Sequence, residues 1–133
     1  MRTVETSLAR FSLAILVVYV PVETWASPSH GLLHPMYLVD LIAMCLLFFG
    51  ARHSLAARPA SAPGPLAAAW GWTAANGWRA TAWRWLDALE NQGRELDHGR
   101  AELWAVTIAS ALALVCFAAA LTLAWRAARL RQS

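Results

Sequence analysis

LAAAWGWTAANGWRATAWRWLDAL, residues 66–89, is apolar enough in outline to enter a membrane, yet it carries Arg79, Arg84 and Asp87. Its reading decides the fold. Taken as a span it is one of four, whereas laid flat on the surface as an amphipathic helix it leaves a chain with three. At about 100° per residue, Thr73, Asn76, Arg84 and Asp87 fall on one side, with Arg79 and Glu90 at its edges. Trp78, Ala82, Trp85, Leu86 and Leu89 fall on the other. Ionised groups at bilayer depth are costly, so in a spanning helix the first face must meet a bundle interior or a water-filled cavity and the second suits lipid.

Composition favours the membrane. Hydrophobic residues make up 59% of the 133 positions and charged ones 14%, too apolar for a soluble domain with a largely polar surface. The length matches about four spans of roughly 20 residues with short connections and no separate soluble domain. All eleven cations are Arg, and with the abundance of Ala this points to GC-rich, bacterial coding.

The other spans flank this one. The first runs from about Ser7 to Val22, with Arg10 able to snorkel to the interface. The second opens at Pro35, a favourable first helical position, and ends near Ala51. A Pro/Ala-rich loop, residues 52–65, separates it from the third, residues 66–89. After an acidic loop, residues 90–102, the fourth runs from Leu103 to Trp125, without a charge and with Trp near each end.

Arginine placement orients the chain. Arg2, Arg10, Arg52, Arg58, Arg126, Arg129 and Arg131 all flank the same side of a four-span bundle, which is therefore cytoplasmic. In the acidic loop, Arg94 and Arg100 are outnumbered by Glu90, Glu95, Asp97 and Glu102. A three-span chain would leave one Arg-bearing terminus outside, so charge selects four spans with both termini cytoplasmic: an all-α, multi-pass bundle of the inner membrane. The N-terminal segment also has the outline of a secretory signal with a poor cleavage site at Thr24-Trp25-Ala26. Its removal would leave the remaining spans oriented as before.

Depth brings the polar groups together in the outer half. Asp40 lies roughly 7 Å below the outer end of span two, and Arg84 about as far below that of span three, with Arg79 deeper. Tyr37 and Asp40 share a face. In one reading Asp40 forms a structural ion pair with Arg84, or as second choice with Arg79, that fixes neighbouring helices. In the other, Arg79, Arg84, Asn76, Tyr37 and Trp83 line a pocket that holds an anionic or amphiphilic molecule, the guanidinium groups gripping phosphate or carboxylate. An enzyme built here would use Asp40 or Glu23 as acid or base.

Metal and cofactor chemistry are poorly served. His30 and His34 have the spacing of helical ligands, but His34 precedes Pro35, which disfavours helix there; with His98 they form a weak candidate surface metal site. No histidine lies within a span, so paired axial ligands for haem are missing and no cofactor is expected. Cys45 and Cys116 read as small buried apolar residues. There is no basic run or recognisable nucleic-acid-binding motif, so the positive charge is assigned to membrane lipids, not nucleic acid.

Ala67, Gly71 and Ala75 on span three, and Ala105, Ala109 and Ala113 on span four, form small-residue faces suited to close packing, within the bundle, in a homo-oligomer or in a larger membrane complex. In length and number of spans the chain resembles the small multidrug-resistance transporters, but the acidic residue in the middle of their first span has no counterpart between Leu8 and Val22. The leading expectation is a non-catalytic accessory or self-associating membrane component with a polar, lipid-binding site in the outer half. A membrane-embedded enzyme acting on a lipid or isoprenoid-like substrate, or a dimeric small-solute transporter, are the alternatives.

Orientation is testable directly. In a background lacking Cys45 and Cys116, Gln132→Cys should resist an impermeant thiol reagent in intact cells, while Gln92→Cys should react. Labelling at position 132 would rule out cytoplasmic termini.

Overall fold

The computed structural model describes residues 2–26, 35–56, 64–90, 96–130 and 132. They form four helices: α1 (Arg2–Ala26), α2 (Pro35–Ala56), α3 (Gly64–Glu90) and α4 (Leu96–Arg129). The all-α reading and the order of elements hold. The helices run beyond the apolar segments, most clearly α1, which begins before Ser7, and α4, which extends past Leu103 and Trp125 in both directions. Helical hydrogen bonding continues through polar flanks, whereas apolar length measures only the part suited to hydrocarbon. Within α1, Pro21 removes one backbone donor without ending the helix.

Thr3–Val22, Tyr37–Ala56 and Ala101–Arg129 are long and apolar enough to cross a membrane, and α3 is the exception. It is nevertheless no peripheral element. It packs along both α2 and α4, and its contact with α4 is the most extensive in the bundle, whereas α1 and α4 barely touch. On the outside, Val17, Val18, Phe49, Ile108 and Val115 are exposed. Apolar residues spread over the exterior of three helices suit lipid better than water.

Consecutive helices are antiparallel. Tyr19 near the end of α1 meets Asp40 near the start of α2, and Gly50 near the end of α2 meets Pro65 and Leu66 at the start of α3. Along the next interface, Gly71 lies against Phe117 and Gly77 against Ser110. Of the two small-residue faces, Ala67 and Gly71 turn inward while Ala75 is exposed; on α4, Ala113 is buried and Ala105 exposed. Gly77 therefore does at this interface what a continuous alanine stripe was expected to do.

The core occupies one end of the bundle. Leu8, Ala9 and Leu16 of α1 meet Leu47 and Ala51 of α2, Leu66, Ala69 and Trp70 of α3, and Cys116, Ala120 and Leu123 of α4. Trp70 closes this packed half. Its indole Nε1 donates to Ser12 Oγ at 3.0 Å, its ring stacks on Phe11 at a centroid distance of 6.3 Å, and Ser12 in turn donates to Leu8 O at 2.8 Å. Beyond Trp70 the facing residues are small, among them Ala43, Gly77, Ala80 and Ala109, and the helices enclose space instead of side chains.

Close approach at Gly50 joins α2 to α3. A methyl group there would stand 3.0 Å from the Pro65 carbonyl oxygen and 3.1 Å from Leu66 Cα, backbone atoms that cannot rotate away. Gly50→Ala should therefore lower stability by about 1–3 kcal/mol, as overpacking does. Gly64→Ala, with nothing within 4 Å, is the control. Unfolding in mixed detergent micelles measures both, and equal stabilities would refute the close approach.

Candidate functional site

Above Trp70 lies a cavity of about 520 Å³, partly open to the surroundings and lined by all four helices. Helix α1 contributes Ile15 and Tyr19, and α2 contributes Tyr37, Val39, Asp40, Ala43 and Leu47. The α3 wall is Trp70, Thr73, Asn76, Gly77, Arg79, Ala80 and Arg84, while α4 supplies Val106, Ala109, Ser110, Leu112 and Ala113. The spacing on α3 explains its share. Residues 73, 76, 77, 80 and 84 recur every three or four positions and so fall on one face. The volume lies within the range of about 300–1,000 Å³ typical of small-molecule sites.

Polar and apolar groups are segregated along its length. Leu47 and Trp70 form an apolar floor, while Tyr19, Tyr37, Asp40 and Arg84 lie toward the helix ends away from the core and Arg79 nearer the middle of α3. Asp40 Oδ1 accepts a hydrogen bond of 2.8 Å from the Tyr19 hydroxyl. That bond orients the carboxylate and leaves it further lone pairs, since an ionised carboxylate has acceptor sites on both oxygens. Thr73 and Asn76 are tied to their own helix, Thr73 Oγ1 donating to Ala69 O at 2.9 Å and Asn76 Nδ2 to Trp72 O at 3.1 Å. The Asn76 side-chain carbonyl is an additional acceptor type on this wall.

Arg84 takes a different partner from the one expected. Its Nη2 lies 3.0 Å from Glu102 Oε1 of α4, and the Asp40 carboxylate is engaged by Tyr19 instead. Matching depth said nothing about rotation about the helix axis, and α3 packs most closely on α4, whose first turns carry Glu102. With side chains 44% and 65% exposed, the Arg84–Glu102 pair contributes only about 0–1 kcal/mol.

The structure thus gathers Tyr37, Asp40, Asn76, Arg79 and Arg84 around one cavity. Trp83 is not among them. It is 74% exposed and does not line the cavity, although it stands two turns beyond Asn76 on nearly the same face of α3. Trp85, placed by its spacing on the lipid face, is half-buried and donates from Nε1 to Thr107 Oγ1 at 3.1 Å. Glu23 and His98 lie on α1 and α4 with their side chains outside the described residues, as are His30 and His34 altogether. Among the described residues no group of three His, Cys, Asp or Glu is placed to hold a metal ion.

Three contributors were missed. Tyr19 could have been found by applying the depth argument to span one, since it sits just inside Val22 as Asp40 sits just inside Pro35. Ser12 and Trp70 carry no such signal, because a serine and a tryptophan 58 positions apart become partners only when the bundle closes and the indole reaches from α3 across to α1. Between α3 and α4, Thr81 and Ser110 share a hydrogen bond of 2.8 Å, and Thr107 Oγ1 donates to Leu103 O at 2.7 Å. Comparison with family models, with curated proteins and with solved structures finds no match.

The floor of the cavity depends on one hydrogen bond. Ser12→Ala would leave the indole N–H of Trp70 unpaired where water cannot reach it and should cost about 1–3 kcal/mol. Thr122→Ala, which removes an exposed bond within α4, should be nearly neutral. Equal stabilities in a detergent unfolding titration would show that Trp70 does not depend on Ser12.

Proposed function

We propose that this chain is a multi-pass protein of a bacterial inner membrane, with both termini cytoplasmic, that holds an amphiphilic molecule in its interhelical cavity. The observation that carries this reading is the segregation of the lining: an apolar floor at Leu47 and Trp70, and charged and phenolic groups toward the other end. An amphiphile satisfies both ends at once, its chain covering the apolar surface and its head meeting the polar groups. The Arg-rich helix ends lie beyond the packed core, which by the positive-inside rule supports a cavity in the outer half of the bilayer.

Binding is favoured over conversion. Among the described residues the lining has one carboxylate, Asp40, and neither histidine nor cysteine, so the usual pairing of nucleophile with base is not assembled there. In this reading the protein is an accessory or self-associating component, and its lipid partner is also its ligand.

Gentle purification in a mild detergent, followed by native mass spectrometry, should find an amphiphile retained by the wild-type chain. Ala109→Phe, which fills the cavity from α4, should lose it while the helical content stays unchanged. A wild-type chain that retains nothing, or equal retention by the filled variant, would refute the proposal.

A further inference from the structure

We infer that the bound amphiphile has a zwitterionic head, a phosphate joined to a primary ammonium, as in an aminophospholipid. This rests on the proposed function and concerns the head group alone. The cavity carries charge of both signs on different helices, Asp40 on α2 and Arg79 and Arg84 on α3. A purely anionic head would bring its charge toward the Asp40 carboxylate, and a purely cationic one would meet two guanidinium groups. Only a head with both charges gives each wall an attractive partner.

The local geometry suits each half of such a head. Tyr19 holds Oδ1 of Asp40 at 2.8 Å, and the carboxylate retains acceptor capacity for an ammonium N–H. A quaternary ammonium has no N–H to offer, so a choline head satisfies Asp40 less well. On the other wall, guanidinium groups bind phosphate through paired N–H donors. Arg84 reaches this role by exchange. Its present partner, Glu102, belongs to a solvent-exposed pair of small net stability, and a phosphate offering two acceptor oxygens can replace it. Glu102 therefore acts as a placeholder that keeps Arg84 at the cavity until a head group arrives.

The test uses the full-length chain, delipidated in mild detergent and titrated with short-chain phosphatidylethanolamine, phosphatidylcholine and phosphatidylglycerol, with binding read by native mass spectrometry. Phosphatidylethanolamine should bind about tenfold or more tightly than either of the others, the factor expected for one charge-assisted hydrogen bond. Asp40→Asn should bring it down to the phosphatidylcholine level while leaving phosphatidylglycerol no weaker. Glu102→Gln should tighten all three, and Arg84→Gln should weaken all three. Equal binding of the three lipids by the wild type would overturn the head-group assignment and leave the amphiphile proposal standing. An unchanged ranking in Asp40→Asn would have the same consequence. If none of the lipids binds, both proposals fail. Free phosphoethanolamine binding as tightly as its lipid would overturn the lipid assignment in favour of a soluble ligand. The head-group series on the wild type decides the matter even if a variant fails to fold.

Discussion

Trp70 sets the division of this bundle into a filled half and an open one. Its indole crosses from α3 to α1, where Ser12 accepts its N–H and Phe11 stacks against the ring. Helix α1 is attached mainly to α2, with smaller contributions from α4 and from this reach of the α3 indole across the bundle. Below the ring, leucines and alanines of all four helices close the core. Above it, small residues keep the backbones near each other without filling the space between them. A cavity in this position follows from where Trp70, the one buried tryptophan among the described residues, lies.

The polar content of α3 is tolerated because most of it is used. Thr81 bonds to Ser110, and Trp85 to Thr107, along the contact with α4. In membranes such interhelical bonds average only about 0.6 kcal/mol, since the separated helices also find partners in lipid. Their weight is in specificity, because they align α3 with α4 in a single register. Gly71 and Gly77 permit the close approach that brings these hydroxyls together. Arg79 and Arg84 meanwhile border the cavity while remaining partly exposed at its mouth.

The two charges expected to pair border one cavity without pairing. Asp40 and Arg84 both line it, yet each is held by a residue from a helix outside the α2–α3 pair, Tyr19 of α1 and Glu102 of α4. The two charges are thereby oriented by separate partners and not by each other.

Four helices, their order and the polar face of α3 could be read from residue order, because they depend on periodicity, chain stiffness at proline and the transfer of apolar side chains; of the four spans expected, three helices are long and apolar enough to cross a membrane, α3 being too polar. That reading also collected Tyr37, Asp40, Asn76, Arg79 and Arg84, since depth along a helix is proportional to residue number. Rotation about each axis and the choice of neighbours are set by packing between segments far apart in the chain. Tertiary structure alone therefore gave Arg84 to Glu102, turned Trp83 outward, brought Tyr19 to Asp40, and joined Trp70 to Ser12 across 58 positions. The cavity belongs to the same category, because empty space depends on how four surfaces meet and no single segment encodes it.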